Sequence, residues 1–295
     1  MERVGPGSLL AGMACGVGAA LCWAGGFTAV RHGIMVGLSP FDIALHRYVW
    51  AGLLFLPSVL RAGAGNLAGI GWGRGLTLAL LGGPGQAVVS AAGFLVVPLG
   101  HGGVIQPSCA ALGGMLLATL ILNERLPAVR VCGATLVVAG VAVIGHEALT
   151  TIGTHGLVGD LSFALAGLMF ATFGMLLRMW RIEPMRAAAV ISTLTLLYIP
   201  VHAAAFGFDR MIAAGWFENA VQAIVQGVFS GPLAIYLFAR SVMLLGVSRA
   251  AVFAALVPAA TLVVGFVTLG EEPSIAQVAG LAIVLVGFRL TQKAS

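Results

Sequence analysis

The chain has 295 residues, 60% of them hydrophobic and only 8% charged. A water-facing surface uses roughly 25% charged residues, so this chain cannot cover itself in water and most of its exterior must face lipid. Its formal charge of +5 comes from single basic residues scattered between apolar runs; with no Lys/Arg cluster to follow a phosphate backbone, nucleic acid is excluded as a partner.

The 42 glycines agree with this, because membrane helices use small residues to bring backbones close together. Cys15, Cys22, Cys109 and Cys132 all lie in apolar runs, without a CxxC or a His at ligand spacing. They read as apolar filler, and no disulfide, metal or cofactor is expected.

A membrane span needs about 20 mostly apolar residues. Ten such runs follow in order, at 9–30, 41–60, 76–97, 102–122, 129–146, 157–177, 187–206, 217–239, 250–269 and 275–290. The first is long enough to span by itself, and Trp23 and Phe27 interrupt the small-residue pattern of a cleavage site, so it reads as a retained helix. Breaks are sharp at Asn123-Glu124-Arg125-Leu126-Pro127 and at Arg181-Ile182-Glu183-Pro184, and soft between Pro98 and Gly103. The expected fold is therefore an all-α membrane protein of ten transmembrane helices.

If the spans alternate, one side holds Arg3, Arg61, Arg74, Arg125, Arg130, Arg178, Arg181, Arg186, Arg240, Arg249, Arg289 and Lys293. The other holds Arg31, Arg47 and Arg210. Twelve against three is a strong positive-inside bias. It places both termini in the cytoplasm of a multi-pass protein of a bacterial-type inner membrane.

Shifting the sequence by 147 residues sets Gly12 on Gly159, Trp23 on Phe170, Arg31 on Arg178, Glu124 on Glu271, Gly133 on Gly280 and Gly140 on Gly287. Gly83-Pro84 parallels Gly231-Pro232 at a shift of 148. The chain thus divides into two repeats, 1–147 and 148–295, forming one membrane unit. Five spans per repeat is an odd number, so the second repeat must be inverted relative to the first. Inverted repeats supply two related conformations, each open to one side, which is the basis of alternating access.

The duplicated pattern of an apolar helix ending in Glu, a short loop and a Gly-spaced helix resembles the EamA family of the drug/metabolite transporter superfamily. So do Trp23-Ala24-Gly25-Gly26-Phe27 in the first helix and the Ser39-Pro40…Arg47 entry to the second. The resemblance covers nearly the whole chain. It implies ten helices, a central cavity between the halves and export of small metabolites such as amino acids. Within the family the layout is similar to YddG-type amino-acid exporters.

A substrate site in such a fold belongs near the midplane, where broken helices of both halves meet. Pro84, Pro107, Pro232 and Pro258 mark candidate breaks, since proline removes a backbone donor and clashes with the preceding turn; packing kinks are the competing explanation. Polar residues deep in spans need a partner or a wet cavity: Gln86 with Ser90 four residues on, Gln106 and Ser108 around Pro107, and Ser230. Helix–helix hydrogen bonds compete for all of these, least for Gln86. Trp23 and Phe170, related by the repeat, lie too deep for the interfacial belt and are candidates to line a cavity; Phe173, Phe229, Tyr236 and Phe253 are weaker ones.

Arg47 lies about two turns inside the second span, where a cation costs ~3 kcal/mol even on the lenient insertion scale. It can snorkel outward, pair with Asp42 or face the cavity and attract a substrate carboxylate, with structural placement favoured. Glu124 and Glu271 sit at helix ends, where capping and conformational latching compete. No carboxylate falls near the middle of an expected span, which favours a facilitator driven by the substrate gradient over a proton antiporter; His46 and His202 can titrate, but both fall toward the outer side.

The expected partners are a small molecule and the bilayer, with oligomeric state open. A multidrug or other metabolite carrier of the same fold, proton-coupled or not, is the alternative. A membrane-embedded enzyme is remote, because His146, Glu147, His155 and Asp160 match no metal or nucleophile–base spacing.

Overall fold

The structure, a computed structural model, describes residues 6–124 and 127–292. Arg3, Arg125 and Lys293, used above for orientation, lie outside the described residues. Every expected apolar run is helical, and no strand occurs among the described residues. We call the end of the bundle where the first helix begins proximal, and the end where it finishes distal.

The first half comprises α1 (Pro6–Met35), α2 (Pro40–Arg61), α3 (Trp72–Gly82), α4 (Pro84–Gly93), α5 (Leu99–Leu122) and α6 (Ala128–Thr151). The second comprises α7 (Thr154–Trp180), α8 (Pro184–Thr195), α9 (Tyr198–Ala205) and α10 (Asp209–Ile224). A π-helical stretch (Val225–Leu233), α11 (Ala234–Leu245), α12 (Val247–Ala255), α13 (Val257–Leu269) and α14 (Ile275–Thr291) complete it.

Among the described residues seven segments are long and apolar enough to cross a bilayer, α3–α4 and α10–α11 each counting as one. The pair α8–α9, bent by 42°, makes an eighth if it is one span, while α13 and α14 are shorter apolar helices. Large apolar side chains cover the outside of these helices: Leu120 is 67% exposed, Met243 72% and Val267 73%. In water each would be costly, so this surface requires lipid.

Local chemistry sets the helix ends. Ser39 and Asp42 form a capping box, each side chain accepting the other's backbone N–H, which fixes the entry to α2 and aims Asp42 at the distal end. Asn123 closes α5 and Gly270 closes α13, both in the left-handed conformation (φ 54° and 68°). Each places a glutamate, Glu124 or Glu271, as the next residue beyond the cap.

Packing follows small residues. A Cβ on Gly140 would stand 2.6 Å from the Gly280 carbonyl oxygen, and one on Gly133 2.7 Å from that of Gly287. These contacts join α6 and α14 almost backbone to backbone. Elsewhere α2 packs on α8, α1 on α11 and α13, and α7 on α4 and α5. The buried core has two parts, one around Phe94, Phe163 and Val284, the other around Leu78, Val190 and Ile191.

Three expectations shift. The eighth run begins at Asp209, not 217, with an extra turn set off by Gly215 at φ 83°. Helix α6 continues beyond the expected end at 146 to Thr151, so Glu147 is helical as well. Pro107 does not break its helix: α5 runs through it from Leu99 to Leu122, since losing one N–H from so long a helix is tolerated when neighbours cover the freed carbonyl.

Candidate functional site

Two discontinuities face each other in the bundle. Gly83 (φ −119°, ψ −143°) separates α3 from α4 and leaves Pro84 at the first turn of α4, where a missing N–H costs nothing. Opposite, the α10–α11 span widens into a π-helix containing Pro232; such bulges reposition side chains that a regular helix would stagger.

Between them lies a cavity lined by Trp23, Phe27, Val30, Ile43, Arg47, Gln86, Ala87, Ser90, Gln106 and Ser230. Of the residues picked out in the sequence, Trp23, Arg47, Gln86, Ser90, Gln106 and Ser230 line this cavity. Phe27, Val30, Ile43 and Ala87 carried no signal, being apolar residues in apolar runs.

The polar side of the cavity is hydrogen-bonded around Arg47 and Ser90. Arg47 Nη1 donates to Gln226 Oε1 at 2.8 Å and to Ser230 Oγ at 3.1 Å, not to Asp42. Gln226, with 0% exposure, donates its own Nε2–H to the Gly26 carbonyl at 2.6 Å. Ser90 Oγ donates to Gln106 Oε1 at 2.6 Å, and Gln86 reaches the Ala166 carbonyl only at 3.5 Å. On the apolar side Trp23 is held by Phe238, ring centroids 5.4 Å apart.

Gln226 belongs to a stripe that sequence reasoning missed. Glu218, Gln222, Gln226 and Ser230 recur every four residues, one helical face, and all four are buried. Gln222 Nε2 donates to Glu218 Oε1 and to the Ala29 carbonyl, both at 2.7 Å, and His32 Nδ1 lies 3.0 Å from Glu218 Oε2. A polar seam therefore runs along α1 from the distal end to Arg47. The i, i+4 spacing in an otherwise apolar run was the available clue.

The distal end carries further buried polar pairs. His101 Nδ1 lies 2.9 Å from Asp160 Oδ1, with Glu147 3.9 Å from the other ring nitrogen. His202 Nε2 lies 3.0 Å from Asp42 Oδ1, at an angle outside hydrogen-bond geometry, and His46 meets Asn219 at 3.0 Å. Glu147 and Glu218 are both helical and lie toward the distal end, and neither is among the residues lining the cavity. Among the described residues no group of three or more His, Cys, Asp or Glu is arranged to hold a metal.

Arg31 meets Glu271 at the distal end and Arg178 meets Glu124 at the proximal end, each at 2.6 Å. Several aromatic candidates lie elsewhere. Phe173 fills the space over Gly82, and Phe253 that over Gly16. Phe170, Phe229 and Tyr236 are half exposed and absent from the cavity wall. Ser108 is buried with no hydrogen-bond partner among the described residues, and Pro258 opens α13 behind the break at Leu256.

Apolar-coated helices around a small, partly polar cavity are the arrangement of a polytopic membrane protein. Residues 10–145 and 157–291 each match the EamA-like transporter family; the chain belongs to that family and is a multi-pass membrane transporter. An uncharacterized transporter of Archaeoglobus fulgidus is 27% identical over 272 residues, 90% of this chain and 92% of that protein. A protein of known crystal structure superposes with a TM-score of 0.64 at 17% identity, covering 95% of this chain and 96% of the other. That likeness concerns the fold.

Proposed function

We propose that the protein exports small metabolites, aromatic or neutral amino acids in the first instance, by alternating access between two inverted five-helix halves. The observation that carries this is the exchange of two ion pairs under the 147-residue shift. Arg31 becomes Arg178 and Glu271 becomes Glu124, so the distal bridge Arg31–Glu271 maps onto the proximal bridge Arg178–Glu124. Each joins one half to the other, at opposite ends of the cavity, as a pair of alternating latches would.

Other contacts follow the same exchange. Gly133–Gly287 maps onto Gly280–Gly140, and the packing of α7 on α5 maps onto that of α1 on α13. The two separate family matches, one per half, also support an internal duplication. In this reading α12–α13 is the ninth span and α14 the tenth, and the arginine-rich proximal end faces the cytoplasm of a bacterial-type inner membrane.

Among the described residues no carboxylate lines the cavity, which favours a facilitator. The buried Asp42–His202 and Asp160–His101 pairs favour a second reading, proton coupling from the distal end. Uptake and counterflow of labelled amino acids in proteoliposomes, with and without a pH gradient, separate them. Saturable exchange indifferent to the gradient supports the facilitator. Exchange only with a gradient supports coupling. No amino-acid movement shifts the cargo to a multidrug or other-metabolite class.

A further inference from the structure

We propose that Arg47 is the headgroup anchor of the cavity and that the site selects small monoanions, a carboxylate on an apolar or aromatic body, with any amino group dispensable. The assignment rests on the transporter reading and narrows its substrate class.

Arg47 is a cation well inside a span, and among the described residues no carboxylate lies within 4 Å of it. The nearest acid along its own helix, Asp42, is occupied by Ser39 and His202. What holds Arg47 is neutral. Gln226 is locked by its bond to Gly26, so its amide oxygen must face Nη1, and Ser230 takes the second Nη1 hydrogen. Nε and Nη2 make no hydrogen bond to a described residue, while the side chain is only half-buried and lines the cavity. The guanidinium is therefore held at one nitrogen, and Nε and Nη2 have no hydrogen bond to a described residue in a side chain that lines the chamber. A carboxylate accepts two parallel N–H bonds from such a fork and cancels the charge in a low-dielectric setting.

The rest of the wall matches the other parts of such a ligand. The first turn of α4 adds positive helix-end potential beside Gln86. Trp23, Phe27, Val30 and Ile43 form an apolar wall for the body. An ammonium group would find no carboxylate; it would meet only neutral amide and hydroxyl oxygens and aromatic faces. An amine lacking a carboxylate would face Arg47 as a like charge.

Three probes of similar size separate the groups: 3-phenylpropionate carries only the carboxylate, phenethylamine only the amine, and phenylalanine both. Binding to the purified full chain is read by tryptophan fluorescence and by the shift in melting midpoint. The expected result is that 3-phenylpropionate and phenylalanine bind within a few-fold of each other, and phenethylamine about tenfold or more weakly. Arg47→Gln erases that discrimination, whereas Arg47→Lys keeps part of it because the charge remains. The comparison on the unaltered protein stands even if a variant folds poorly.

Phenethylamine binding as tightly as the carboxylates overturns the assignment. So does discrimination unchanged in Arg47→Gln, or no binding of any probe. If the probes fail while another solute still exchanges in liposomes, only the anion assignment falls. If no solute exchanges at all, the transporter reading falls with it.

Discussion

Arg31 Nε lies 2.6 Å from Glu271 Oε1, and both groups are also bonded to the turn between α4 and α5: Arg31 Nη1 donates to the Phe94 carbonyl at 2.8 Å, and Glu271 Oε2 accepts the Leu99 N–H at 2.8 Å. One ion pair thus ties three elements at the distal end. Its proximal counterpart Arg178–Glu124 is more open, with side chains 60% and 41% exposed against 20% and 21%. Exposed pairs contribute about 1 kcal/mol or less. Glu271→Arg is expected to slow counterflow strongly and Arg31→Glu/Glu271→Arg to restore part of it, with a smaller defect for Glu124→Arg. A double exchange no better than the single would remove the latch from the mechanism.

The α6–α14 seam makes a separate prediction. Because the atoms nearest a Cβ at Gly140 or Gly280 include backbone carbonyl oxygens at 2.6 and 2.8 Å, neither neighbour can step aside. Gly140→Ala and Gly280→Ala should each destabilise the protein by about 1–3 kcal/mol, read as a lower melting midpoint in detergent. Gly114→Ala, on α5 with nothing within 4 Å, should leave it unchanged or slightly raised. Equal behaviour of all three would mean the helices are not in backbone contact.

His202 is fully buried among Tyr198, Phe206 and Phe208, and among the described residues Asp42 is its acidic neighbour within 4 Å. His202→Phe keeps the ring packing and removes the partner of a buried carboxylate, which should cost about 1–3 kcal/mol. Adding Asp42→Asn should recover part of that loss. Simple addition of the two effects would show that the groups act independently.

That the chain is built of apolar membrane helices was legible because lipid imposes long apolar runs that little else imitates, and the α3–α4 break because Gly83-Pro84 cannot continue a helix. Trp23, Arg47 and Gln86 stood out as costly residues at depth. The rest was hidden for physical reasons. Phe27 and Ile43 face the cavity with the same side chains that elsewhere face lipid, so composition cannot distinguish them. Phe170, though it aligns with Trp23, is 50% exposed beside Phe173, because a shared repeat position does not fix the chemistry on both halves. Glu218 was lost by starting its span at 217, which made a buried carboxylate look terminal.

The most direct test of alternating access places a single cysteine at Ser90 in a background lacking Cys15, Cys22, Cys109 and Cys132. Its labelling by a membrane-impermeant reagent is measured from each side of the membrane. The account predicts a reciprocal response: Glu271→Ala raises labelling from the distal side and lowers it from the proximal side, and Glu124→Ala does the reverse. Labelling that rises from both sides together would contradict it, because the cavity would then be part of a continuous pore.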